Sequence, residues 1–227
     1  MPVFIDAAGT MIHLRDPVGV SYARIAHRHG VGDGTNAGAL EAGFRAAWKT
    51  FPPPQHPDGQ RSHDDDRSWW KQLVDQAFQR ALLLPDTPSV SDELFNDLYD
   101  HFAQPDPWAV YPETYQALDL MTQQQSLWVL SNFDQRLRSI LEGLNLMKYF
   151  DGLVLSSEVG ASKPDPRFFN AALAATAAEA SSCLHIGDDP RLDVDGARAA
   201  GIRCFHVDRP HVTLLDALPL VASMEPS

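Results

Sequence analysis

The sequence predicts an α/β protein in which a parallel sheet flanked by helices is interrupted once by an inserted block of four helices. Three observations carry this. A short apolar run ending in a carboxylate, PVFID at residues 2–6, stands alone at the start. From Asp16 to Ala103 the chain shows only helical periodicity. After Pro105-Asp106-Pro107, short apolar runs alternate with helical stretches, the order produced when crossover helices join parallel strands.

The first run cannot hide its own side chains, so it must pair with the later strands. That makes the helical block an insertion, dividing the chain into a core of residues 1–14 and 107–227 and an inserted domain of residues 15–106. In the insertion, a helix over Pro17–His29 is closed by Gly30. Leu40, Phe44, Ala47, Trp48 and Phe51 mark a second helix face. Trp69, Trp70, Leu73, Val74, Ala77, Phe78 and Ala81 mark a third, and Leu94, Phe95, Leu98, Tyr99 and Phe102 a fourth. Between them, residues 51–67 contain three consecutive prolines, which forbid a regular helix, and read as a long surface loop or one facing a substrate. In the core, strands are expected at Leu127–Leu130, Leu153–Leu155, Cys183–Ile186 and Ile202–Val207. The helices between them carry Leu137, Ile140, Leu141 and Leu144, or run over Pro166–Ala178 and Pro190–Ala200.

Composition narrows the function. The 227 residues include 18 basic and 30 acidic side chains, a net charge of −12, so the chain should repel phosphate backbones and anionic membrane surfaces. Neither a nucleic-acid nor a membrane partner is expected. No apolar run reaches the ~18–20 residues of a membrane span, and the first residues lack a basic stretch followed by an apolar one, so a cytoplasmic location is expected. Cys183 and Cys204 lie in apolar runs and form neither a disulfide framework nor a metal-binding spacing.

Parallel sheets bind ligands at the carboxyl ends of their strands. The polar residues there are Asp6 in DAAGT, Ser131-Asn132, Lys163 in KPDP, and Gly187-Asp188-Asp189-Pro190 with Asp193 and Asp195 beyond. So many carboxylates are costly together unless a cation sits among them, and oxygen-only donors favour Mg²⁺. Lys163 and the Ser131 hydroxyl add donors for an anion, a combination suited to phosphoryl transfer. Several neighbours have plainer readings. Asp189 and Asp165, each before a proline, read as helix N-caps. Asp195 reads as a solvated first-turn carboxylate, and His63-Asp64-Asp65-Asp66 as a solvated helix start. His185 and His206 read as strand residues with a satisfied ring nitrogen, and Trp69-Trp70 as helical-domain core.

DAAGT, VLSN, the isolated lysine of SKPDP and GDDPRLD, in order and each at a strand end, resemble the four motifs of the haloacid dehalogenase superfamily. The helical insertion resembles that superfamily's C1 cap, and FRAAW, SWW, SNFDQRL and KPDPRFF resemble one branch of it. The resemblance implies a Rossmann-like core. It implies Asp6 as the nucleophile that forms an aspartyl-phosphate and as a Mg²⁺ ligand, with the Ala8 backbone carbonyl and Asp188 completing the metal's protein ligands. Asp193 would stand behind them and hold the lysine or a metal-bound water. Ser131, Lys163, Asn132 and Thr10 would bind the phosphate of a small-molecule phosphorylated substrate, Thr10 also fixing the turn beside it. One position departs from the pattern. Phosphatases of the superfamily usually carry a second aspartate where this chain has Ala8, and it protonates the leaving group. The resemblance therefore implies a Mg²⁺-dependent phosphatase weakened at Ala8. It also leaves open a phosphate- and metal-binding protein without turnover, or a phosphonate (C–P) hydrolase using Lys49 or Lys71 as a Schiff base. Dehalogenation ranks lowest, because dehalogenases usually replace Asp188.

Overall fold

The computed structural model describes residues 1–54, 56, 60–84 and 89–224. The chain opens with β1 (Pro2–Ile5) and a three-residue strand β2 (Ile12–Leu14), followed by α1 (Val18–Arg28), α2 (Ala37–Thr50), α3 (Arg67–Arg80) and α4 (Asp92–His101). Then come β3 (Trp108–Val110), α5 (Thr114–Met121), β4 (Ser126–Ser131), α6 (Arg136–Gly143), β5 (Gly152–Leu155) and α7 (Ser156–Val159). The chain ends with α8 (Pro166–Thr176), β6 (Leu184–Gly187), α9 (Gly196–Ala199), β7 (Arg203–His206) and α10 (Leu218–Ala222). Two compact units result: Met1–His13, Gln55–Asp65 and Trp108–Ser227 form one, Leu14–Pro54 and Asp66–Pro107 the other.

The first unit is built on a five-stranded sheet in the order β5-β4-β1-β6-β7, all pairs parallel. β1 is central and covered on both faces, which is why Val3, Phe4 and Ile5 are all apolar and none is exposed. One face packs Phe4 and Leu130 against Phe168, Phe169, Ala172 and Ala197 of the following helices. Ile5 lies opposite Val129 on one side and Ile186 on the other. That register brings the residues after β1, β4 and β6 level with one another, so the strand tips share one rim.

The second unit is the four-helix block α1–α4, closed around Tyr22, Ile25, Leu40, Phe78, Leu94 and Leu98. Its second helix departs from the expected apolar face. Leu40, Gly43 and Ala47 are the buried residues, while Trp48 is 54% exposed. The cause is Gly43, where an added Cβ would lie 2.4 Å from the Ala77 carbonyl of α3. The close approach of the two helices needs that missing side chain and rotates the contact away from Trp48. Trp48 then stacks on Phe44 and on Trp70, at 5.9 and 6.1 Å.

Other expectations change in detail. The expected helix over Pro190–Ala200 is a wide i→i+5 turn at Pro190–Asp195 followed by α9. The short pair β2–β3 and the helices α5 and α10 are elements the sequence reading did not assign. Part of the proline-rich loop, residues 55 and 57–59, lies outside the described residues. Its end is not a solvated helix start: the Asp65 carboxylate accepts from Ser157 Oγ at 2.5 Å and from the Gln135 N–H at 2.9 Å. Asp66 is buried, and the Ser62 N–H donates to the Ser157 carbonyl at 2.7 Å.

Truncation of the central strand tests the packing. Phe4→Ala should lower unfolding free energy by about 3–5 kcal/mol, the usual cost of an emptied phenyl site in a core. Urea denaturation at unchanged m-value reads it, and a loss below about 1 kcal/mol would show that Phe4 does not hold the sheet to its helices.

Candidate active site

Asp6 follows β1 and its N–H continues the sheet by donating to the Ile186 carbonyl at 2.9 Å. The turn after it is tight. The N–H groups of Thr10, Met11 and Ile12 all converge on the Ala7 carbonyl, at 3.3, 2.8 and 3.0 Å. The Ala8 carbonyl takes none of these bonds, and Ala8 is exposed. Gly9 sits at φ +95, and a Cβ there would lie 2.4 Å from Asp188 Oδ2, so only glycine lets the turn lie this close to the end of β6. Thr10 closes the junction by donating its hydroxyl to Asp188 Oδ1 at 2.8 Å.

Lys163 is the hub. Its side chain is 3% exposed, and its ammonium donates to Asp6 Oδ1 at 2.7 Å, Asp193 Oδ1 at 2.6 Å and the Leu130 carbonyl at 3.1 Å. An ammonium has three hydrogens, and all three are used. Asn132 holds the backbone of the same residue, its Oδ1 accepting from the Lys163 N–H at 2.7 Å and its Nδ2 donating to the Lys163 carbonyl at 2.9 Å. Asp193 is held from three sides: by Lys163, by His185 Nε2 at 2.9 Å and by the Asp189 N–H at 3.0 Å. A Cβ on Gly187 would lie 2.2 Å from Asp193 Cγ, a second close approach that requires glycine.

The structure thus gathers Asp6, Asp188 and Asp193, with carboxylate oxygens all within 4.8 Å of one another. Ser131 ends β4 nearby in sequence register and is buried. Some expected roles change. The Asn132 side chain is engaged by the Lys163 backbone rather than aimed at a phosphate. Thr10 is fully buried with its hydroxyl turned to Asp188, so it braces a carboxylate instead of touching a ligand. Asp189 and Asp195 do not join the cluster. Asp189 caps the turn at Pro190, accepting from the Arg191 and Leu192 N–H groups at 2.8 Å, and Asp195 is exposed. Asp165 caps α8 as expected. His206 Nε2 reaches the Asp188 carbonyl at 3.0 Å, whereas His185 keeps one nitrogen, Nδ1, buried without a hydrogen-bond partner. In the helical unit the Lys71 ammonium is tied to Asp75 and the Val90 carbonyl, so it is no free amine.

A model of the haloacid dehalogenase-like hydrolases matches residues 3–201. The chain belongs to that family. Haloacid dehalogenase-like hydrolase domain-containing protein 3 of Bos taurus is 38% identical over 210 residues, covering 90% of this chain and 80% of that protein. Among solved structures, a HAD phosphatase from Thermococcus onnurineus superposes with a TM-score of 0.66 at 19% identity, covering 100% of this chain and 99% of its own. L-2-haloacid dehalogenase from Xanthobacter autotrophicus superposes at 0.67 and 18% identity, covering 99% and 84%. These two share the fold.

The electrostatics of this family member follow from burial and from the lysine. Burial pushes the Asp6 carboxyl up to about 7, with the Asp193 and Asp188 charges adding to the effect and Lys163 opposing it. Burial also raises Asp188, helped by Asp193. Asp193 is likewise buried, yet Lys163 and His185 outweigh this and hold it below the usual carboxylate range. Burial alone would lower Lys163, but Asp6 and Asp193 together hold it above its ordinary value. The donor set is all oxygen, and burial holds the Asp6 and Asp188 carboxyls above their ordinary values. Both features fit a hard divalent cation between Asp6 and Asp188. Asp193 accepts from Lys163, His185 and the Asp189 N–H, which holds it behind the other two.

Three residues of this site were not visible from strand ends. Arg209 donates from Nη2 to the Thr10 carbonyl at 2.6 Å, pairs with Glu113, and lies 3.6 Å over the Tyr111 ring. It braces the turn that carries Thr10. The sequence holds no spacing that announces it, because residues 113 and 209 are brought together only by the fold. Arg209→Met should leave the half-buried Glu113 unpaired and cost about 1–3 kcal/mol, while Arg209→Met with Glu113→Gln should recover part of that loss. Denaturation of both variants measures this, and equal loss in the two would show no coupling.

The pH dependence has a defined sign. The Asp6 proton is held more tightly in the folded chain, at about 7 against about 3.9 unfolded. Its contribution to stability is full below about pH 4 and is lost as pH rises through about 7. In EDTA, the urea midpoint of Asp6→Asn relative to the wild type should therefore rise steadily between pH 4 and 7. A flat difference would mean that Asp6 ionises normally.

Proposed function

We propose that this hydrolase is a Mg²⁺-dependent phosphatase acting on a small phosphorylated metabolite through an aspartyl-phosphate on Asp6. The observation that supports it most is the state of Asp6 itself. One oxygen is fixed by Lys163 at 2.7 Å, and the carboxylate stands at a strand tip beside Asp188, while Ser131 ends the neighbouring strand β4. Asp6 and Asp188, with the Ala8 carbonyl, would hold Mg²⁺, which supplies charge neutralisation to the phosphoryl group and keeps Asp6 ionised. Lys163 orients the nucleophile. Asp6 attacks phosphorus, the P–O bond to the leaving group breaks, and water then hydrolyses the acyl phosphate to release inorganic phosphate and restore the carboxylate. Ser131 donates to the phosphoryl oxygens.

Ala8 sets the substrate preference within this reading. It has no proton to give a departing alkoxide, and a missing general acid usually costs ~10²–10⁴ in rate. Acyl and aryl phosphates, whose leaving groups are stable as anions, should therefore turn over best. The same residue favours a second reading, a protein that binds phosphate and metal without turnover. The net charge of −12 argues against nucleic acid or an anionic membrane as partner. Among the described residues no helix is long and apolar enough to cross a bilayer, and a cytoplasmic location belongs to the same proposal.

Assays of purified protein with acyl, aryl and alkyl phosphates separate the two readings. Wild type with Mg²⁺ should hydrolyse acyl or aryl esters, EDTA should abolish turnover, and Asp6→Asn should lower kcat by at least ~10³. Ala8→Asp should raise the rate on alkyl phosphates by ~10²-fold or more and on aryl phosphates by less. If wild type and Ala8→Asp are both inert, and beryllium fluoride forms no aspartyl-phosphate mimic, the phosphatase is refuted, and intact phosphate binding in Mg²⁺ then favours binding without turnover.

A further inference from the structure

A cavity of about 400 Å³ lies within the helical unit, and its lining includes Arg15, Arg24, Arg28, Asp16, Asp106 and His101, with Ser21. None of these residues belongs to the carboxylate–lysine cluster. In a chain with 30 acidic and 18 basic residues, three guanidinium groups around one hollow are a local inversion of charge. Arg24 and Arg28 are one helical turn apart on α1 and project from the same face. Neither Arg15 nor Arg24 has a carboxylate within ion-pair distance among the described residues, and Arg28 has only Asp97, at 4.0 Å. Arg15 instead donates from Nε to the Asp106 backbone carbonyl at 3.0 Å.

The partner Arg24 does have is unusual. Its Nη2 lies 3.4 Å from His101 Nε2, and the same nitrogen is 3.0 Å from Ser21 Oγ. A guanidinium only donates, so Nε2 must be its acceptor and the imidazole neutral. Burial and the charges of Arg24 and Arg28 hold His101 below its ordinary value, consistent with that state. The wall therefore combines three arginines, of which only Arg28 has a carboxylate within ion-pair distance among the described residues, with a neutral imidazole held by Arg24 and Ser21. Planar guanidinium forks match the oxygens of a tetrahedral anion.

We propose that this cavity is an anion site of the cap, taking a small phosphate-type oxyanion, either free or singly esterified, between Arg24, Arg28 and Arg15 with Ser21 beneath. The site stands independently of any activity at Asp6. Full-length protein is titrated in EDTA with inorganic phosphate and, separately, with methylphosphonate as the stand-in for an ester. The imidazole resonances of His101 report binding, and sodium chloride at matched ionic strength is the control. His101 should show a saturable shift that chloride does not reproduce. Asp6→Asn should leave it unchanged, whereas Arg24→Gln should weaken it at least tenfold. Saturation by phosphate alone assigns the site to the free anion, and saturation by both assigns it to singly esterified phosphate as well. A response equal to that of chloride, or an affinity unaltered by Arg24→Gln, overturns the proposal.

Discussion

A lysine ammonium buried between two carboxylates organises this molecule. Lys163 reaches Asp6, Asp193 and the Leu130 carbonyl at once, and so joins the tips of β1 and β4 and the turn after β6 through one charge. Separating such charges from water is costly, and the cost is offset only when every donor and acceptor finds a partner. Asn132 fixes the lysine backbone, while His185 and the Asp189 N–H fix Asp193. What the arrangement leaves is a second oxygen on Asp6 and a nearby Asp188, both crowded by like charge.

The other structural demand is closeness. The turn after β1 and the end of β6 approach so tightly that Gly9 and Gly187 leave no room for a Cβ against Asp188 and Asp193. Thr10 then ties the turn to Asp188, and Arg209 ties it to the segment after β3 through Glu113 and Tyr111. One carboxylate oxygen from each of Asp6, Asp188 and Asp193 lies within 4.8 Å of the others without any ligand. Here that pre-organisation comes from two glycines and from braces drawn out of distant parts of the chain.

Much of this was legible beforehand, for identifiable reasons. A central parallel strand is buried on both faces, so it is written as an unbroken apolar run, and PVFI could be recognised as such. Carboxylates and a lysine placed just after such runs stand out because nothing in strand packing asks for them. Illegible features had weaker or longer-range signals. The three-residue strands β2 and β3 are too short to show a period. Trp48 shared the helical spacing of its neighbours, and only the contact at Gly43 with Ala77 turned it outward. Asp65 looked like part of an acidic helix start, and its bonds to Ser157 and Gln135 depend on residues 70 or more positions away.

The amino-acid order alone therefore indicated the α/β core, the inserted run of helices and the polar residues that end the strands, while residues 55–65, expected in the insertion, fall with the core unit. Hydrophobic period and local turn preference act within a few residues and leave their trace directly in the chain. Strand order, the use of Asn132 to hold the lysine backbone, and the recruitment of Arg209 were decided only in three dimensions. Each depends on register and close approach between residues far apart along the chain, and no local pattern records those.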